Sequence, residues 1–274
     1  MENNSYEKSY VRKRKWKIAS AIVLSLSLVV VTTFAIISFI GDKLGNYTVE
    51  AKDNTRSLTL DVSKTFNNKS TFLKANSISS IYAITADDMP SVGEIDSSSL
   101  QGDHSGRKDV NGDGDYSEDL YFAYTFYVTN VGVSSVNYSV KLKLEEVRRP
   151  SNIAVSILEY VRIRVFENTV ISGQADTHDV KTYAKAATYP KNNEYREKIV
   201  NEDDSDIYQD INKGYADEFY NEDYIINTQN NKTAIDVDEI KRFTVVLWLE
   251  GSDPDCIGNE PESAAIRFSM LIEA

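Results

Sequence analysis

Hydrophobic and polar positions along this chain fall into three regimes. Residues 18–40 carry no charged side chain in 23 positions. At a helical rise of about 1.5 Å per residue they reach ~34 Å, enough to span the ~30 Å hydrocarbon core of a bilayer with some tilt. Their polar members, Ser20, Ser25, Ser27, Thr32, Thr33 and Ser38, can bond back to the helix's own carbonyls. From Tyr47 the helical period gives way to a period of two. Leu58, Leu60 and Val62 alternate with polar residues over 57–63, the mark of a half-buried strand, and residues 79–85 predict a shorter one. Residues 120–129 set Leu120, Phe122, Tyr124, Phe126 and Val128 on one face, against Tyr121, Ala123, Thr125, Tyr127 and Thr129 on the other. After the turn-like Asn130-Val131-Gly132, residues 136–144 alternate as regularly, so the pair predicts a β-hairpin. Further strands are expected at 160–166, with Val161, Ile163 and Val165 inward and Arg162 and Arg164 outward, and at 180–188, 242–249 and 264–273. Asn152 is placed to cap a short helix over 152–158.

The third regime has little apolar content. Residues 86–118 are rich in Ser, Asp and Gly, and loops of that length are usually functional, metal-organised or mobile. Residues 190–230 hold eleven acidic and four basic side chains together with Tyr195, Tyr208, Tyr215, Tyr220 and Tyr224. They read as a surface insertion with a short helix near Ile207. No internal repeat is found. The expected fold is mostly β, an antiparallel β-sandwich of jelly-roll type behind one N-terminal transmembrane helix. The division is a basic tail over 1–17, an anchor over 18–40, and a β-sandwich over 41–274 with irregular insertions near 86–118 and 190–230.

Charge gives the anchor its direction. The first 40 residues contain Lys8, Arg12, Lys13, Arg14, Lys15 and Lys17 against Glu2 and Glu7, so the N-terminus is expected in the cytoplasm and the remainder outside. Trp16 suits the headgroup layer. A cleaved signal peptide is the rival reading, but its apolar core runs roughly 7–15 residues to a small-x-small site. Here the run is longer and ends in the bulky Phe34-Ala35-Ile36-Ile37-Ser38-Phe39, so an uncleaved signal anchor in the cell membrane is expected. The chain's formal charge is −12, although its first 40 residues are basic, so the exported part is more acidic still. That balance argues against nucleic acid, whose binding needs cationic surface, and makes a divalent cation a natural partner. Cys256 is the one cysteine, which excludes an internal disulfide.

Chemistry-bearing patterns are few. Residues 109–119 read Asp109-Val110-Asn111-Gly112-Asp113-Gly114-Asp115-Tyr116-Ser117-Glu118-Asp119. Acids and amides at the first, third and fifth positions with glycine at the sixth follow the opening of an EF-hand loop, so Asp109, Asn111, Asp113, Asp115 and Asp119 are candidate Ca2+ ligands. The closing bidentate acid departs from that pattern, since the twelfth position is Leu120. The alternative is a solvated Asx/Gly turn leading into the next strand. A second acidic loop, residues 250–262, gathers Glu250, Asp253, Asp255, Glu260 and Glu262 around Cys256. It could form a carboxylate–thiolate site, or a polar connection shaped by Pro254 and Pro261. The two histidines, His104 and His178, stand in no zinc-type spacing, and no nucleophile elbow or phosphate loop occurs, so no enzymatic activity is expected. The tyrosines of 190–230 could make a carbohydrate- or protein-binding face.

The run Arg242-Phe243-Thr244-Val245-Val246-Leu247-Trp248-Leu249-Glu250-Gly251-Ser252-Asp253-Pro254-Asp255-Cys256 resembles the closing motif of exported Gram-positive proteins of the TasA and camelysin type. So do Leu58-Thr59-Leu60 and the strand Tyr121-Phe122-Ala123-Tyr124-Thr125-Phe126. The resemblance covers about a quarter of the chain. It implies a jelly-roll sandwich outside a Gram-positive cell, in a family linked to biofilm matrix fibres. The long anchor departs from that family's short, processed signal, and a tethered subunit could not polymerise freely. Three functions follow as expectations. The first is a non-catalytic, membrane-anchored surface protein in adhesion, matrix or envelope interactions, with membrane lipids, Ca2+ and other surface proteins as partners. The second is a secreted fibre subunit released by cleavage, and the third a divalent-metal-dependent hydrolase.

Overall fold

The computed structural model of the chain describes residues 47–53, 57–76, 81–85, 89–108, 118–148, 156–171, 179–185, 216–251, 256 and 265–274, with the backbone alone at 107, 108, 118 and 119. The expected anchor over 18–40 and tail over 1–17 lie outside these residues. Among the described residues no helix is long and apolar enough to cross a membrane.

The protein is mostly β, with two mixed sheets and little helix. The first sheet runs in the order β12 (Tyr224–Asn227), β8 (Val136–Arg148), β15 (Ala265–Glu273), β1 (Tyr47–Lys52) and β3 (Phe72–Lys74). A short β13 (Thr233–Ile235) follows β12 along the same side of β8. The second sheet runs β11 (Asp217–Glu218), β10 (Asp179–Ala184), β9 (Val161–Thr169), β14 (Ile240–Glu250), β7 (Glu118–Asn130) and β2 (Leu58–Asp61). Along the outer side of β7, β2 is continued by β5 (Gly102–Asp103) and β6 (Gly106–Lys108), and β4 (Ala83–Ile84) pairs with the end of β14.

Period-two alternation explains why these segments are strands. Phe122, Tyr124, Phe126 and Val128 of β7 all point into the core, as do Phe243, Val245, Leu247 and Leu249 of β14. The inner face of the first sheet supplies Tyr47, Val49, Tyr138, Val140, Leu142, Phe268, Met270 and Ile272 to the same core. Aromatic rings lock the two layers together. Tyr47 of β1 meets Phe122 and Tyr124 of β7 edge-on, at 5.5 and 5.6 Å between centroids, and lies 4.8 Å from Phe268. Phe126 stacks on Phe243 at 5.3 Å, and Tyr138 crosses from the opposite sheet onto Phe243 at 6.4 Å. Edge and offset contacts of this kind add ~0.5–1.5 kcal/mol per pair beyond area burial.

Several expectations change. The hairpin expected of 120–129 and 136–144 does not form: β7 pairs with β14 and β2 in the second sheet and β8 with β15 and β12 in the first, so the turn at 131–135 carries the chain from one layer to the other. The sheets are not wholly antiparallel: β1 runs parallel to β15, β10 to β11 and β4 to β14. Periodicity reports which face a residue takes, not which way its neighbour runs, so the sequence could not give these directions. Residues 47–52 form a strand of their own, which the alternation of Tyr47, Val49 and Ala51 already carries. The described part of 86–118 does more than loop over the surface. A single helical turn, α1 (Val92–Ile95), together with Met89, buries apolar side chains against Ala123, Phe166, Val246 and Trp248 on the outward face of the second sheet. Of the acidic 190–230 segment, residues 224–227 join the first sheet, with Ile225 and Ile226 buried. Over 152–158 the described part is a 3-10 turn, Ile157–Glu159, capped by Ser156.

Tyr47 is fully buried at the centre of the ring cluster, and its hydroxyl lies 3.6 Å from the Met270 sulfur. Tyr47→Ala is expected to cost roughly 3–5 kcal/mol of unfolding free energy, in the range of large aromatic truncations, measured by denaturant titration.

Candidate functional site

The outward face of the second sheet carries polar residues, yet it is covered. Registers across β9, β14 and β7 set Asn168 beside Arg242 and Tyr127, Phe166 beside Thr244 and Thr125, and Arg164 beside Val246 and Ala123. Arg162 and Arg164 do point away from the core, as their alternation predicts, but they are 0% and 2% exposed. A sheet buried on both faces must satisfy its outward polar groups from within.

Residues 89–105 form a strap over this face. The strap begins at Ser91, whose amide and hydroxyl both donate to the Glu94 carboxylate, at 3.0 and 2.9 Å, fixing the start of α1. α1 ends in Asp96, a fully buried carboxylate. Thr244 donates to its Oδ1 at 2.6 Å, and Asn168 Nδ2 donates to Oδ2 at 2.6 Å. Arg242 Nη2 reaches Oδ2 at 3.1 Å and the Asp96 main-chain oxygen at 2.8 Å. Charge-assisted bonds of this type are shorter and about twice as strong as neutral ones.

A hydroxyl chain leads from this carboxylate to a half-buried histidine. Thr125 and Thr244 lie 2.8 Å apart, and His104 Nε2 lies 2.9 Å from the Thr125 hydroxyl. Each hydroxyl has one proton to give. Since Thr244 gives its proton to Asp96, Thr125 must donate to Thr244, and Nε2–H of His104 must donate to Thr125. The chain is therefore directional and fixes the histidine tautomer. Burial lowers the His104 pKa from its ordinary value, against the opposing pull of the Asp103 and Asp96 carboxylates.

Beside this network, Arg164 lies over the Trp248 ring at 5.1 Å, and its Nε donates to Thr182 at 3.0 Å. The indole N–H of Trp248 donates to Glu250 at 3.1 Å. Lys185 pairs with Glu159 at 3.0 Å. A separate polar bond crosses the apolar core, from the Tyr138 hydroxyl on the first sheet to the Glu167 carboxylate on the second.

The candidate residues of the sequence fall as follows. Asp109, Asn111, Asp113 and Asp115 lie outside the described residues, while Asp119 stands in β7 opposite Arg107. Of the second acidic loop, Glu250 is buried and Cys256 packs in the main core; Asp253, Asp255, Glu260 and Glu262 lie outside the described residues. Tyr220 is exposed and Tyr224 half-buried in β12, whereas Tyr195, Tyr208, Tyr215 and His178 lie outside. Among the described residues no group of three or more His, Cys, Asp or Glu could hold a metal ion. Asp96 carried no sequence signal of its own. Arg164, Arg242 and Thr244 did, because polar residues in strict strand alternation have to face either water or a partner. Comparison of the chain with protein-family models, with curated proteins and with solved structures finds no match.

Burial lifts the Glu167 carboxyl above its usual range, more than the Tyr138 hydrogen bond and Lys241 lower it. The folded state then binds this proton more tightly than the unfolded chain does. Glu167 therefore favours folding at acid pH, and that contribution is lost as pH rises from the ordinary carboxylate value through the raised one. Glu167→Gln keeps an acceptor for Tyr138 and removes the charge. Its melting temperature is expected to exceed that of the wild type at pH 7, with the difference shrinking towards pH 4, as followed by thermal scans.

Proposed function

We propose that the chain is a non-catalytic, membrane-anchored cell-surface protein whose acidic, jelly-roll-like β-sandwich serves adhesion, matrix or envelope interactions. In this reading residues 1–17 are cytoplasmic, residues 18–40 span the membrane, and residues 41–274 are extracellular. The observation that carries it is the order of the sequence: 23 uncharged residues over 18–40 stand behind the basic cluster Arg12–Lys17 and ahead of an acidic chain whose described part is two packed β-sheets. The likeness to TasA- and camelysin-type proteins supports a matrix setting. A network whose Asp96 carboxylate is engaged by Thr244, Asn168 and Arg242 supports an architectural use of the polar side chains rather than a catalytic one. Mass spectrometry of the mature protein from cells is expected to recover Met1 or Glu2 joined to the folded part; a mature N-terminus beyond residue 40 would instead favour a released subunit.

Calcium belongs to the same reading, with Asp109, Asn111, Asp113, Asp115 and Asp119 as ligands. Support comes from the pairing of β6 with β7, which sets Lys108 opposite Glu118, the residues on either side of 109–117. A chelator is expected to lower the melting temperature of the full chain by several degrees, and Asp113→Ala to abolish the difference. An unchanged melting curve would remove calcium from the proposal.

A further inference from the structure

The geometry points to a carboxylate-binding site on the outward face of the second sheet, built from Arg242, Thr244 and Asn168. In this structure it is filled by the chain's own Asp96, and it accepts an aspartate-bearing peptide when the part of the strap over 89–100 lifts.

The receptor side is assembled without help from the strap's carboxylate. Arg242 and Asn168 are cross-strand register partners on β14 and β9, and Thr244 is positioned by Thr125 at 2.8 Å. All three are fully buried, so a carboxylate meets them in a water-poor setting where charge-assisted bonds are strongest. Arg164 and Arg162 lie on the same face of β9, so in a chain of net charge −12 three buried guanidinium groups gather on one sheet surface.

The occupying side is slighter. Asp96 arrives on one helical turn whose apolar hold is Met89, Val92 and Ile95. Beyond it residues 97–100 are tied by the Tyr127 hydroxyl to Ser98 O and Leu100 O at 3.4 and 3.3 Å, while residues 102–105 are held firmly to β7 by the pairing of β5, by His104 N to Ala123 O at 3.0 Å, by Ala123 N to the Ser105 hydroxyl at 3.1 Å and by His104 Nε2 to Thr125, so the part that lifts is 89–100. Segments with few buried apolar contacts open locally before the sheet that carries them. The ligand class follows from what is read. Arg242 Nη2 bonds the main-chain oxygen of Asp96 as well as its carboxylate, so the site recognises a carboxylate borne on a peptide backbone rather than a bare anion. Because the strap competes, apparent affinity in the wild type is the intrinsic affinity scaled by the open fraction. The inference does not depend on whether residues 18–40 are retained.

The test uses the full chain, with N-acetyl-aspartate N-methylamide as probe and sodium acetate and the asparagine analogue as controls at matched ionic strength. In Asp96→Ala the probe is expected to raise the melting temperature saturably, with acetate acting more weakly and the asparagine analogue having no effect. Adding Thr244→Val is expected to weaken the probe roughly tenfold, the scale of one lost hydrogen bond. Equal shifts with all three additives would overturn the site. Hydrogen exchange on the wild type decides whether the strap lifts, including where Asp96→Ala fails to fold. The amides of Glu94, Ile95 and Asp96 are expected to exchange at least about tenfold faster than those of β14. One common rate would overturn the proposal, because the strap would then leave only when the sheet itself unfolds.

Discussion

A sheet covered on both faces has no water with which to satisfy the polar residues on its second face, and this condition governs the structure. Arg242, Asn168 and Thr244 are buried there, and the Asp96 carboxylate meets all three at 2.6–3.1 Å. Leaving one partner of such a buried pair alone typically costs ~3–5 kcal/mol, far more than the pair gains over an apolar replacement. The position of the strap, the direction of the hydroxyl chain and the tautomer of His104 all follow from that one requirement.

The first sheet solves the opposite problem. Its outward face is wet and carries a lattice of ion pairs, Lys141 with Glu273 at 2.6 Å, Lys143 with Glu145 at 2.9 Å and Arg267 with Glu146 at 3.0 Å. Surface pairs contribute about 0–1 kcal/mol each, so this lattice adds little to stability. The two faces also differ as binding surfaces. Among the described residues the first carries mixed charge at its surface, while the second is covered by the strap.

Much of this was present in the sequence, because alternation is a local property. Residues 120–129, 136–144 and 242–249 fall within strands, 265–273 of the expected 264–273 form β15, and the outward direction of Arg162 and Arg164 holds. What the sequence lacked is what depends on distant partners. Nothing near Asp96 announces Arg242, 146 positions away, and a Ser- and Asp-rich stretch looks like solvated loop until the face beneath it is known to need cover. The parallel pairings were hidden for the same reason, since a strand's pattern is the same whichever way its neighbour runs. The candidate calcium residues were read from spacing alone, and four of the five lie outside the described residues.

The pairing of β1 with β15 has a consequence for how the molecule comes into being. Tyr47 lies beside Phe268, so the first strand among the described residues takes a hydrogen-bonded neighbour more than two hundred positions further on. Contacts so far apart in sequence form slowly, because the loop between them must close before any reward is collected. During synthesis β1 therefore lacks this neighbour until β15 has been made. Removing β15 would leave β1 paired on one side alone, with β3, and would strip the core on the side where Tyr47 meets Phe268.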